Sequence, residues 1–169
     1  MTTRPAWRKE YVTSCNFISA RISIKENHMQ RKGSAHWAGG LKDGKGTIST
    51  PSGVLQGTQY SFSTRFENGS GTNPEELLAA AHAGCFSMAL SAQLGNAGLT
   101  AESIDTTATV TLEKTEAGFT ITSSHLDVTV KIPGADKDKF DAAAKAAETG
   151  CPVSRVLNAK VSMDAKLIA

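Results

Sequence analysis

Three cysteines, Cys15, Cys85 and Cys151, have the strongest claim to chemistry in this 169-residue chain. An odd, low count at wide spacing is no secreted disulfide framework. It fits a reducing compartment, where a cysteine pair is more often catalytic, redox-active or metal-binding than structural. Thiol chemistry needs the thiolate, and an unperturbed cysteine, with a pKa of ~8.5, is mostly protonated at neutral pH. A cationic neighbour or a helix N-terminus lowers that value, whereas burial raises it. Cys151 is followed by Pro152, Val153 and Ser154, which reads as the start of a short helix reaching Leu157 and puts its sulfur at the positive end of a dipole. Cys85 lies in mid-helix among apolar residues, where an inert buried thiol is the default. On these local grounds Cys151 is the better thiolate, and the role of Cys85 stays open. His82 stands three residues before Cys85 on the same helix face; it either tunes the thiolate or is a satisfied core histidine. A zinc site on His82, Cys85 and Cys151 would need a fourth ligand, and the chain has no Cys-x-x-Cys pair, so no metal is expected.

Caps, periods and turn signals outline the elements that must position these residues. Residues 72–95 form the clearest helix: Asn73 caps it, Glu76 three residues on comes close to a capping box, and Pro74 suits the first position. Glu75 and Glu76 favour the positive end of its dipole. Leu77, Ala81, Cys85, Met88 and Ala92 recur at helical spacing as one stripe. The segment is so apolar that it should be buried on most sides, against a sheet and against its own copy in a second subunit. Gly95 and Gly98 are expected to end it. Upstream, Asp43-Gly44 and Lys45-Gly46 mark a tight turn between strands at 35–37 and 47–49. The alternation of Tyr60, Phe62 and Thr64 with Ser61, Ser63 and Arg65 predicts a strand with Arg65 opposite the aromatics. Downstream, strands at 104–114 and 119–132 flank a turn at Glu116-Ala117-Gly118. A second helix covers 136–149 with Asp136 as its cap, Phe140, Ala143, Ala144 and Ala147 inward, and Gly150 as its stop. A last strand runs through Val161, Met163, Ala165 and Leu167. Strands, helix, strands, helix and strand without regular alternation predict an α+β fold.

The bulk numbers narrow the function classes. At 40% hydrophobic and 20% charged residues the chain reads as one globular domain, with no need of cross-links or metal for its core. A net charge of +2 points to neither nucleic acid nor an anionic membrane as partner. No apolar run approaches the roughly 20 residues that span a bilayer. The basic start, Arg4, Arg8 and Lys9, is not followed by the apolar stretch of a signal peptide, so a cytoplasmic protein is expected. Residues 1–28 lack a clean period and hold Cys15. They read as an N-terminal appendage, with Met29 as a second possible start and 29–169 as the domain; the alternative is an arm that packs on the domain.

Several blocks resemble a known family. Thr72-Asn73-Pro74-Glu75-Glu76-Leu77, Ala80 to Met88 and Gly150-Cys151-Pro152-Val153-Ser154 are similar to the signature blocks of the osmotically inducible protein C (OsmC) family, sister to the organic hydroperoxide resistance (Ohr) proteins. Ala35-His36-Trp37, Ser49-Thr50, Ser52-Gly53-Val54 and Thr64-Arg65-Phe66-Glu67 extend the likeness from about Met29 to the C-terminus. His82 and the Thr-Arg-Phe-Glu block bring it nearer to OsmC than to Ohr. The resemblance implies an antiparallel sheet of about six strands around a long buried central helix and a second helix, in an intertwined homodimer. It implies a thiol peroxidase acting on organic hydroperoxides, and on hydrogen peroxide less well, in oxidative and osmotic stress. Cys85 would attack, Cys151 would resolve, and Arg65 and Glu75 would form an ion-paired cradle. No bound cofactor is implied, only an external dithiol reductant of lipoyl type. Phe86, Met88 and His82 are candidates for substrate contact, although plain core packing would explain them too.

One spacing sharpens this. Glu75 and Cys85 are ten residues apart, about 15 Å along a straight helix, too far to share one Arg65. Either the Asn-Pro-Glu segment bends away, or Arg65 and Glu75 reach Cys85 of a partner chain; the homodimer favours the latter. A different class of function, a non-catalytic module binding an apolar ligand in the dimer cleft, is the competing expectation.

Overall fold

The computed structural model describes residues 29–168; the expectations for 1–28, Cys15 included, lie outside the described residues. Six strands and four helices follow in the order β1 (Ser34–Ala38), β2 (Lys45–Ser49), β3 (Thr58–Ser61), α1 (Phe62–Phe66), α2 (Pro74–Asn96), β4 (Ser103–Thr115), β5 (Gly118–Lys131), α3 (Lys137–Gly150), α4 (Pro152–Val156) and β6 (Lys160–Ile168). The α+β class is as expected. The single antiparallel sheet is not: the strands divide into two three-stranded sheets, β1-β2-β3 and β4-β5-β6. Within the second, β5 and β6 run parallel. The connection from β5 to β6 carries both α3 and α4, long enough for the crossover that parallel neighbours require.

A second departure concerns Arg65. Its segment leaves the strand at Ser61 and turns into α1. The Ser61 hydroxyl accepts from the Thr64 N–H at 3.2 Å, and the Thr64 hydroxyl accepts from the Ser61 N–H at 2.8 Å, a reciprocal capping box that starts a helical turn. Arg65 therefore sits on a helix beside Phe66 instead of on a strand face.

The core lies between α2, α3 and the inner face of β4-β5-β6. Phe86, Leu90 and Leu94 of α2, Leu126, Val128 and Val130 of β5, and Phe140, Ala143, Ala144 and Ala147 of α3 are its buried members. The β5 alternation is clean: the even positions from Ser124 to Val130 turn inward, while His125, Asp127, Thr129 and Lys131 face away. The four inward positions foreseen on α3 are its four buried residues, and Asp136 caps it. Helix α2 instead packs its His82, Phe86, Leu90 and Leu94 face, not the Leu77, Ala81, Cys85, Met88 and Ala92 stripe. Apolar residues occupy both faces, so period alone could not say which one meets the sheet. The expected all-round burial is not found within one chain, where Ala81, Met88 and Ala92 remain exposed. Gly95 is inside the helix, and the turn falls at Gly98, whose φ is +74°.

Candidate active site

The loop entering α2 brings distant chemistry together. Gly71 adopts φ +136°, and a Cβ there would meet the Gln59 carbonyl and the Thr64 methyl, so the chain passes close beneath β3 only with glycine. Thr72 N–H then donates to Gln59 at 2.9 Å. The Asn73 side chain works in two directions, accepting from Glu76 N–H at 2.8 Å and donating to the Thr64 carbonyl at 3.1 Å. This fastens the start of α2 to α1 and sets Glu75 beside Arg65. The guanidinium Nε donates to both carboxylate oxygens at 3.1 Å, and Nη2 reaches Oε1 at 2.6 Å, a two-pronged pairing suited to arginine. Arg65 also lies over the Phe66 ring, 5.3 Å from its centroid. Trp37, Leu41, Tyr60, Phe62, Arg65, Phe66 and Pro74 line a recess of about 230 Å³. This aromatic wall around a cation went unread in the sequence, where only the density of rings between 37 and 66 signals it.

Cys85 and Cys151, 66 positions apart, place their sulfurs 3.2 Å from each other. Cys85 faces α4 from α2, and Cys151 ends α3 and begins α4. Their environments differ. Cys151 is fully buried and Cys85 half-buried. Burial pushes the Cys85 thiol up; the Val153 N–H opposes this, but Cys151 adds to it, and the balance lies above an ordinary thiol. Burial also pushes Cys151 up. There the N–H of Ser154, the Cys85 thiol, the Ser154 hydroxyl and the N–H of Val153 outweigh it, and the balance lies below. Within one chain Cys151 is therefore the more acidic of the two thiols, as its helix-start position implied.

His82 is fully buried with both ring nitrogens bonded, Nδ1 to the Ser124 hydroxyl at 2.7 Å and Nε2 to the Ser154 hydroxyl at 2.9 Å. Burial lowers its pKa, so the ring is neutral. With both nitrogens engaged it presents no free ligand atom to the two sulfurs. Phe86 is a fully buried core residue, whereas Met88 is 77% exposed on the open face of α2. The two serines bonded to His82 were not foreseen; Ser154 belonged to a quoted block, and Ser124 carried no local signal. A separate cluster, His125, Asp127 and Asp164, gathers three possible ligand atoms on the outer face of the second sheet, away from the thiols.

The structure thus pairs Arg65 with Glu75 and Cys85 with Cys151. It does not join the pairs within one chain, because α2 runs unbroken from Pro74 and sets Glu75 and Cys85 about 15 Å apart. Of the two alternatives raised by the spacing, a bend at the Asn-Pro-Glu segment is absent.

Comparison with known proteins adds the following. A family described as OsmC-like protein matches residues 67–166. The chain is 56% identical over 139 residues to peroxiredoxin OsmC of Escherichia coli K12, covering 82% of this chain and 97% of that one. Among solved structures, the organic hydroperoxide resistance protein OhrB of Bacillus subtilis is 25% identical, covers 81% of this chain and 98% of its own, and superposes with a TM-score of 0.58. An OsmC-like protein of Mycoplasma pneumoniae, 14% identical, shares the fold with a TM-score of 0.66 over 84% of this chain and 99% of its own.

Proposed function

The chain belongs to the OsmC-like protein family, and from that membership we propose a complete reaction for it. It is a thiol-dependent peroxidase. In the proposed cycle the Cys85 thiolate attacks the terminal oxygen of a hydroperoxide. The O–O bond breaks, the alkoxide leaves and takes a proton to become the alcohol, and Cys85 is left as a sulfenic acid. The Cys151 thiolate then attacks the sulfenic sulfur, the S–O bond breaks, and hydroxide leaves as water once protonated, giving a Cys85–Cys151 disulfide. An external dithiol, of lipoyl type, exchanges with that disulfide and returns both thiols. The observation that carries this reading is the 3.2 Å approach of two free sulfurs, one half-exposed and one buried. A peroxide can reach Cys85 first, while Cys151 waits beneath as the more acidic thiol.

Arg65 and Glu75 are proposed to act on Cys85 of a second copy in a homodimer. A guanidinium beside Cys85 would offset the burial that raises its pKa and would hold the peroxide oxygens, Glu75 keeping the fork aimed. Two features support the second copy: the span between Glu75 and Cys85 in one chain, and the exposed apolar side of α2, with Ala80, Ala81, Gly84, Met88 and Ala92. The apolar recess beside Arg65, joined by Met88 across the interface, favours organic hydroperoxides over hydrogen peroxide. Phe86 and His82, both buried, would shape the site from within the core. The cycle is placed in the cytoplasm, where a reductant regenerates the thiols, and oxidative and osmotic stress defence is its proposed setting.

The test is consumption of cumene hydroperoxide with a dithiol reductant. Cys85→Ser is expected to lose turnover, and Cys151→Ser to stop after about one equivalent in the absence of added thiol. Full activity of Cys85→Ser would overturn the assignment. A binding module would show neither turnover nor a peroxide-induced disulfide.

A further inference from the structure

We propose that Phe119 is a positioning residue for Arg65: its ring braces Phe66, and Phe66 carries the guanidinium. The proposal rests on the reading of Arg65 as the cation that meets the peroxide, and it adds a residue which that reading does not use.

The contacts form one row. The Arg65 guanidinium carbon lies over the Phe66 ring, 5.3 Å from its centroid, a cation against an aromatic face. Phe62 meets the same ring at 4.8 Å between centroids and 41° between planes, and Phe119 meets it at 5.0 Å and 43°. Both pairs lie in the range where tilted rings attract beyond the area they bury. Phe62 stands one turn before Phe66 on α1, so that contact is internal to a five-residue helix. Phe119 comes from the other sheet. It is the second residue of β5, at the tip of the hairpin with β4, where it pairs opposite Lys114.

A planar cation needs two restraints to stay aimed. Glu75 holds the edge of the guanidinium through Nε and Nη2, which leaves the plane free to swing about the carboxylate. A ring against the face of the plane removes that freedom. Helix α1 supplies little rigidity of its own, since it ends at Phe66 and the chain is extended again at Glu67. So short a helix depends on what packs against it. Among the described residues, Phe119 is the aromatic outside α1 that stacks on Phe66. It does not line the recess beside Arg65, so it acts through Phe66 and not on a bound molecule. Phe119 is also 60% exposed and lies outside the core, so replacing it leaves the core packing in place.

Two rates measured on the full chain by rapid mixing with cumene hydroperoxide test this. One is the peroxide-dependent oxidation of Cys85; the other is the closure of the Cys85–Cys151 disulfide that follows. Phe119→Ser should slow the first about fivefold, the scale of one aromatic contact, and leave the second unchanged. Phe119→Tyr keeps the ring, turns its hydroxyl to water, and should restore the first rate. In an Arg65→Lys background the planar partner of Phe66 is gone, and Phe119→Ser should then cost less than about twofold more. A ring that only steadied the hairpin would lower the urea midpoint and leave both rates alone. The proposal is overturned by an unaltered first rate in Phe119→Ser, or by a loss that persists in full alongside Arg65→Lys. Arg65→Lys reacting at the unaltered rate would refute the cradle itself and the proposal with it, a result read without any change at Phe119.

Discussion

Arg65 holds Glu75 through two nitrogens, leaving the rest of its planar fork for a second anion or a peroxide oxygen. That geometry sets the first prediction at this scale. Arg65→Lys retains the charge but not the fork, and kcat/KM for an organic hydroperoxide should fall by roughly 10²-fold, about 2.7 kcal/mol of transition-state stabilisation. The fall should appear with Cys151 still able to form the disulfide once a sulfenic acid is present, measured by single-turnover oxidation. A lysine variant with unaltered kcat/KM would remove Arg65 from the chemistry. At the same scale, the contrast between the two thiols was half legible. The helix-start position of Cys151 was visible in Gly150-Cys151-Pro152, and its lowered pKa follows from it. What lowers it is mainly the N–H of Ser154 and the nearby thiol, contacts made by folding.

Among the elements, α2 carries the most function and was the easiest to find. Its cap, its proline and its acidic first turn all lie where the residues said. The cap has a second duty that no cap rule contains, since Asn73 also donates to the Thr64 carbonyl and so holds Glu75 against Arg65. Asn73→Ala should cost about 1 kcal/mol of stability in urea unfolding, the usual loss for such a cap. Asn73→Asp keeps the acceptor for Glu76 N–H while losing the donor, so it should retain most of that stability yet lower activity. Equal losses of both in the two variants would mean that the link to Thr64 has no role. Helix α1 shows the opposite case. The alternation through Tyr60 and Phe62 predicted a strand, but the Ser61 and Thr64 hydroxyls offered the backbone a closed turn, and a local capping box overrode the period.

At the scale of the whole molecule, one helix among the described residues, α2, is long and apolar enough to cross a membrane, yet one of its faces is packed against the sheet and α3. The other is what the proposed homodimer covers. Gly84 lies on that face, and a Cβ there meets nothing within 4 Å in a single chain. Gly84→Arg should therefore leave the fold of one chain intact, judged by circular dichroism, but convert a dimer to a monomer on a sizing column. Turnover should drop with it by about 10²-fold or more, since each site would lose its Arg65. A variant that stays dimeric and active would place the second copy elsewhere, and an active monomer of the unaltered chain would sink the shared site.

Local residues were enough to determine the α+β class, the caps of α2 and α3, the inward side of α3, and two cysteines in contrasting settings. These depend on backbone propensity, capping and period, which are properties of neighbours in the chain. Tertiary structure alone decided which face of α2 meets the sheet, because both faces are apolar and only the available partner distinguishes them. It alone split the strands into two sheets, set β6 parallel to β5, and gathered the aromatic recess beside Arg65. It alone brought two sulfurs 66 positions apart to 3.2 Å and put His82 between two serines from different elements. Those contacts join segments far apart in the chain, and their energies depend on burial and direction, which no run of neighbouring residues encodes.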